Sequence, residues 1–318
     1  MHGPATPLAA TAARLARLDA FAGFDVAPST SLGTAATDAP ALGTATDGPA
    51  PAATGLEPTA AAGAAETAVD ERTDWSNVDE SRLDAWLAIL QGLHGHRAVA
   101  GSLLGGALAR GVVQPAVAAL VLERRCPDPS ASNLVVRLDE AGDFARSAVL
   151  SSAMAVLPGD PAAGDEHSHV LNDDGDLVEW WAKRTAATLT PLFLAVRARA
   201  PFGVPGLWGG AADEVSSVAL WIGRLARHDP YAVWAYAQRL VGALAEHAPV
   251  RLTRPRPFPV EHPAGDHWFQ VRGTCCLSYR SVLAEGDPKE DRFCSSCPLR
   301  DDDSRHRHLY AYLTSEAG

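Results

Sequence analysis

Cysteine is scarce in this chain: 318 residues hold five. One, Cys126, stands alone, and the other four, Cys275, Cys276, Cys294 and Cys297, fall within 23 residues. Basic charge is short as well. Against 38 Asp+Glu there are 27 Lys+Arg, a net charge of -11, which excludes a general nucleic-acid binder because such affinity rests on neutralised phosphates. No uninterrupted apolar run approaches the roughly 18–20 residues of a membrane span, so no integral membrane segment is expected. A secretory signal is missing too. Met1-His2-Gly3-Pro4 has no basic n-region, and Arg14, Arg17 and Asp19 interrupt the Ala-rich residues that follow. The expected location is therefore the reducing cytoplasm, where clustered cysteines serve as metal ligands rather than disulfides. A bond between adjacent Cys275 and Cys276 would also be strained, since neighbouring Cα atoms sit only about 3.8 Å apart. Neither a Gly-x-Gly-x-x-Gly fingerprint nor a Walker A loop occurs, so electrons or phosphates carried by nucleotides have no evident cradle.

What is present is mostly helical pattern. Leu8, Leu15, Leu18 and Phe21 share one face of a short predicted helix over 8–22. Residues 27–73 are Ala, Thr, Gly and Pro with almost no large apolar side chains, which predicts a flexible insert that cannot offset its ordering entropy. Ser76-Asn77-Val78-Asp79 resembles a helix-start box ahead of Leu83, Trp86, Leu87 and Leu90. Residues 96–124 predict one or two apolar helices, closely packed through Gly101, Gly105, Gly106 and Gly111 and broken at Pro115. The alternation at 133–138 predicts a strand, with a second over 147–157. Helices are expected at 177–199 and 213–247, separated by a Gly/Pro-rich stretch over 201–210, and Pro-rich 249–263 reads as a connector. Trp268-Phe269-Gln270-Val271 is a short apolar lead into the cysteines, and Ser304 is placed to cap a last helix over 308–313.

The four cysteines form a Cys-Cys pair, a gap of seventeen residues, and a Cys-x-x-Cys knuckle. Four thiolates satisfy either one structural zinc or one [2Fe–2S] cluster. A knuckle turns both sulfurs to one point. Adjacent cysteines in an extended chain diverge, which a core with two metal corners tolerates better than a single ion, unless Gly273 supplies a corrective turn.

Thr274-Cys275-Cys276-Leu277-Ser278-Tyr279-Arg280 and Phe293-Cys294-Ser295-Ser296-Cys297-Pro298-Leu299 resemble the C-terminal signature of the ferric-siderophore reductase (FhuF-like) family. Arg97-Ala98-Val99-Ala100-Gly101-Ser102-Leu103-Leu104 and Val204-Pro205-Gly206-Leu207-Trp208-Gly209 are similar to further stretches of it, so the likeness spans roughly residues 75–313. The seventeen-residue gap is longer than the family's pattern, the extra length falling around 285–291 as a surface loop. The resemblance implies that Cys275, Cys276, Cys294 and Cys297 ligate a [2Fe–2S] cluster. It also implies one-electron reduction of the Fe(III) of a ferric siderophore, with electrons from a ferredoxin or a flavin/NAD(P)H reductase. The alternatives are a zinc-stapled, non-catalytic binding protein and a [2Fe–2S] redox sensor or electron carrier.

Arg272 and Arg280 flank the cysteine pair and are candidates to donate hydrogen bonds to cluster sulfur or to attract an anionic chelate; the alternative is a purely structural role. Trp208 is a candidate wall of the substrate cleft, with core packing as its alternative. Trp180-Trp181 is expected to divide between core and surface, and Tyr279 and Trp268 to pack the cluster domain. His94/His96, His167/His169 and His306/His308 each lack a third ligand nearby. The expected fold is α+β: a flexible N-terminal part (1–73), a helix-rich substrate domain with a small mixed sheet (74–250), and a compact C-terminal cluster module (251–318).

Overall fold

The computed structural model describes residues 6–19, 23–26, 76–139, 144–263, 265–286, 288 and 291–316. The expected insert, 27–73, lies outside them, as do Phe21 and most of the acidic run at 287–290. Seven helices and nine short strands are described: α1 (Pro7–Leu18), β1 (Asp25–Val26), β2 (Ser76–Asn77), α2 (Leu83–His94), α3 (Arg97–Glu123), β3 (Cys126–Pro127), β4 (Leu134–Leu138), β5 (Phe144–Val149), β6 (Met154–Val156), β7 (Ser168–Val170), α4 (Asp174–Arg199), α5 (Val204–Leu225), α6 (Pro230–His247), β8 (Arg256–Val260), β9 (His267–Val271) and α7 (Asp302–Glu316). The chain is thus mixed α+β with helices dominant.

Helix α3 is the axis. It is apolar on all sides and buried along most of its length, packed by α2, α4 and α5 and by β3, β4 and β5. It is long and apolar enough to cross a membrane, yet 89% of its apolar window is buried inside the protein. Glycine lets neighbours approach: a Cβ at Gly101 would sit 2.5 Å from the Ala200 Cβ, and one at Gly111 2.5 Å from Val136. Gly106 has open space instead.

Pro115 does not break this helix. A proline frees the carbonyl four residues earlier, here Gly111, and the Ser147 hydroxyl of β5 donates to that carbonyl at 2.8 Å. The break expected from sequence is averted by a side chain thirty-odd positions away in the chain.

The sheets are small. One runs β1-β5-β4-β2 with β1 parallel to β5, a second β3-β6-β7, and β8 pairs antiparallel with β9. Several boundaries differ from expectation. Ser76 and Asn77 pair with β4 rather than start a helix, and α2 begins at Leu83 with no side-chain cap. Leu83, Trp86, Leu87 and Leu90 are nonetheless its buried face. The expected 147–157 strand divides between two sheets, β5 and β6. Helix α5 starts inside the Gly/Pro-rich stretch, with Gly203 as N-cap and Pro205 in the first turn, where a missing N–H costs nothing. The connector 249–263 contains β8. Ser304 lies inside α7, and its N–H is capped by the Asp301 carboxylate at 2.8 Å.

Trp181 is fully buried and Trp180 half-buried, as expected of that pair. Most buried apolar residues form one large cluster. Phe258, Val260, Val271, Leu309 and Leu313 form a second, uniting β8, β9 and α7 around the cysteine-bearing segment.

Candidate metal centre

Strand β9 delivers the chain to the first cysteine pair. Between them, Gly273 passes so close to residues 253–254 that a Cβ would stand 2.5 Å from the Thr253 carbonyl oxygen. Gly273 is not the corrective turn expected of it. That role falls to Leu277, whose φ of 63° turns the chain directly after Cys276, and whose N–H points at Cys275 Sγ, 3.4 Å away. Because backbone cannot swing aside as a side-chain tip can, Gly273→Ala is expected to cost about 1–3 kcal/mol of overpacking, read as a lowered denaturant midpoint. An unchanged midpoint would show that residues 253–254 yield freely.

One buried acid fixes this segment. Asp213, on α5 and 1% exposed, accepts hydrogen bonds from Arg272 Nε (3.2 Å), Gly273 N–H (2.6 Å) and Thr274 N–H (3.2 Å). Its main-chain carbonyl accepts from Gln270 Nε2 at 2.9 Å. Burial pushes the Asp213 carboxyl up to about 6, against the pull of Arg272 and the Gly273 N–H. A glycine at 209 lets Thr274 lie directly on α5.

The second pair sits on a turn in which Cys297 N–H donates to the Cys294 carbonyl at 3.0 Å. Two buried arginines hold the turn's carbonyls. Arg300 donates to Phe293 and Cys294, and Arg305 donates to Ser295 (2.6 Å), Cys297 (3.0 Å) and Arg300 (2.7 Å). The Arg272 N–H donates to the Ser296 carbonyl at 2.9 Å, joining the two cysteine segments.

The two cysteine pairs meet through Cys275 and Cys297, and none of the four is in a disulfide. Cys275 Sγ and Cys297 Sγ lie 4.0 Å apart. Cys276 Sγ lies 3.2 Å from the Ser278 hydroxyl, and Cys294 Sγ 3.8 Å from that of Ser296. The spacing of 4.0 Å is near the roughly 3.8 Å edge of a tetrahedral thiolate site with metal–sulfur bonds of about 2.3 Å. Among the described residues no three His, Cys, Asp or Glu side chains are gathered as a finished site for one ion. One member of each cysteine pair thus meets the other across the site, and four thiols are a donor set that suits an iron–sulfur core or a zinc ion alike.

The neighbouring Cys294 thiol and burial push the Cys276 thiol up, and Cys294 and Cys297 are also raised. Hydrogen bonding from Cys297 lowers Cys275, despite its burial. Burial works against the Arg272 charge, but the carboxylates of Asp213 and Glu214 pull the other way and help hold the guanidinium protonated.

Of the candidates outside the quartet, Arg272 alone adjoins the sulfurs. Arg280 is exposed on the turn Ser278–Arg280. Trp208 is fully buried, edge-on to Phe193 with ring centres 5.3 Å apart, and so packs the core rather than walls a cleft. A narrow cleft of about 10 Å³ does open beside Cys275 and Cys276, lined by Ser102 and Gly106 of α3 and by Gly206, Leu207 and Gly210 of α5. The fold thus gathers the 97–104 and 204–209 stretches at the cysteine pair.

The long gap between the pairs is part loop, part clamp. Ser281, buried, hydrogen-bonds His94 Nδ1 of α2 at 2.8 Å, and Val282 packs on Gly95. Tyr279 and Phe293 meet with ring centres 5.3 Å apart, closing the gap's two ends. Beyond Ala284, the described residues up to Arg292 are exposed.

Asp213, Arg300 and Arg305 are the residues the sequence reading passed over. Asp213 had a faint signal, an Asp213-Glu214 pair following Gly209-Gly210-Ala211-Ala212 on an otherwise apolar helix. Arg305 had none, since Asp301-Asp302-Asp303-Ser304-Arg305-His306 reads as solvated surface. No family model, no curated protein and no solved structure matches the chain.

Proposed function

We propose that this chain is a cytoplasmic iron–sulfur ferric-siderophore reductase. The observation that carries the reading is the convergence of two unbridged cysteine pairs from separate segments, Cys275 and Cys297 being 4.0 Å apart, beside the buried cation of Arg272. In this reading Cys275, Cys276, Cys294 and Cys297 hold a [2Fe–2S] cluster. When bound, the cluster supplies one electron at a time, and its potential is set by ligands, hydrogen bonds and exposure.

The residues around it divide the remaining tasks. Arg272 offsets the negative charge of four thiolates, while Leu277 N–H and Leu299 N–H, each 3.4 Å from a sulfur, donate to Cys275 and Cys297. Asp213, Arg300 and Arg305 keep the two segments in register. The substrate is a ferric chelate. One electron from a separate donor, a ferredoxin or a flavin/NAD(P)H reductase, converts its Fe(III) to Fe(II). Charged oxygen donors hold the softer, less charged ion more weakly, so reduction releases the iron. With room for only about 10 Å³, the cleft falls far below the roughly 300–1,000 Å³ of pockets that engulf a small molecule. The chelate therefore meets the protein at the cleft mouth rather than inside it.

The test is chemical analysis of anaerobically purified protein, followed by mixing. Iron and acid-labile sulfide in equal amounts, with visible absorption bleached by dithionite, are expected. The reduced protein should then be reoxidised by a ferric hydroxamate faster than by buffer. Colourless protein with stoichiometric zinc would make the quartet a structural staple. A cluster that ignores every ferric chelate would make it a sensor or carrier.

A further inference from the structure

We infer that Asp213 is a positioning residue that, with Arg272, forms a buried pair of opposite charges setting the reduction potential at the cysteine quartet. The inference rests on the cluster reading above and concerns what holds that potential in place. Asp213 is 1% exposed and belongs to α5 in the large core. Its carboxylate is wholly committed to the cysteine-bearing segment: Arg272 Nε, Gly273 N–H and Thr274 N–H all donate to it. Arg272 borders the same cleft as Cys275 and Cys276, and only 18% of its side chain is exposed. The charges therefore interact through protein, where screening by water and salt is weak.

Two consequences follow from the geometry. The two backbone bonds fix where Cys275 and Cys276 leave the strand, so the ligand spacing is set by a core helix rather than by the loop itself. The ion pair leaves a dipole near the sulfurs, its positive end at the cleft that Arg272 shares with Cys275 and Cys276. Adding an electron to a four-thiolate site is opposed by nearby negative charge and favoured by nearby positive charge. The two members of the pair thus act on the potential in opposite directions.

The test is a charge cycle in iron-loaded protein. Asp213→Asn keeps an oxygen for the Gly273 N–H but removes the negative charge, and its midpoint potential should rise. Arg272→Gln removes the positive charge, and its potential should fall. Each shift should change the electron-transfer equilibrium about tenfold, which is about 59 mV for a one-electron couple. The double variant should return toward the native value. Redox titration followed by EPR reads all four proteins, with iron and sulfide content measured beside it. Should Asp213→Asn fail to load, the sign of the Arg272→Gln shift decides: a fall supports the inference, and no change or a rise overturns it. Loaded variants that shift in the same direction, or not at all, overturn this inference alone. Native protein holding zinc and no iron overturns the function and this inference together.

Discussion

Cys294→Ser protein, purified anaerobically beside the native chain, is expected to be colourless and depleted of iron and sulfide. Cys294 shares the knuckle with Cys297, which lies 4.0 Å from Cys275 across the site, and its loss leaves three thiolates where a cluster takes four. A hydroxyl is a poor ligand for a core that selects thiolate. Disturbing residues behind metal ligands already costs about 10–100-fold in affinity, and removing a ligand exceeds that. Cys126→Ser is the control. Cys126 is fully buried, remote in sequence, and its thiol donates to the Pro127 carbonyl at 3.5 Å. That variant should keep the native colour and metal content. Colour surviving in Cys294→Ser, or lost in Cys126→Ser, would mean that the quartet is not the ligand set.

The second large effect is expected from Arg305→Ala. Arg305 is fully buried, and its guanidinium donates to the carbonyls of Ser295, Cys297 and Arg300. It also pairs with Asp302 at 3.2 Å. Truncation strands three acceptors in and around the knuckle. Each buried unsatisfied acceptor costs about 1–3 kcal/mol, and solvent entering the new cavity recovers part of that, so a net loss of about 3 kcal/mol is expected. Urea unfolding of the metal-free reduced chain measures it without the added stabilisation of a bound metal. Arg305→Lys should recover less than half, because one ammonium cannot fork toward three carbonyls. Full recovery by lysine would show that charge alone, not the fork, holds the turn.

How much of this was legible beforehand depends on what kind of force sets each feature. Apolar periodicity marked α2 and α4, because a helix's buried stripe is written at fixed local spacing, whereas the helical stretch expected over 213–247 is parted between α5 and α6 at residues 226–229. The thiol quartet was legible because four cysteines in a chain that otherwise holds one stand out by composition. Arg272 was legible only as a neighbour of cysteine. Arg280, equally close in sequence, points to solvent, and nothing local distinguishes the two.

Trp208 lies in a Gly-rich stretch that reads as an exposed loop. It is buried because Gly206 and Gly209 belong to a helix whose neighbours, Phe202 and Thr274, fill the space a side chain would take. Pro115 reads as a break, and the hydroxyl of Ser147 on another element makes it harmless. Gly273 reads as a turn and is instead a point of close backbone approach to Thr253.

The sequence by itself determined the class of fold, the buried faces of the helices and the four sulfurs offered for metal, because these depend on residue type and local spacing. Tertiary structure alone decided that Cys275 meets Cys297, that Arg272 rather than Arg280 borders the cysteine pair, and that Asp213, some sixty positions upstream, holds its approach. Those outcomes are hydrogen bonds and charge contacts between distant segments. Their strength comes from burial, which exists only once the core has closed around them.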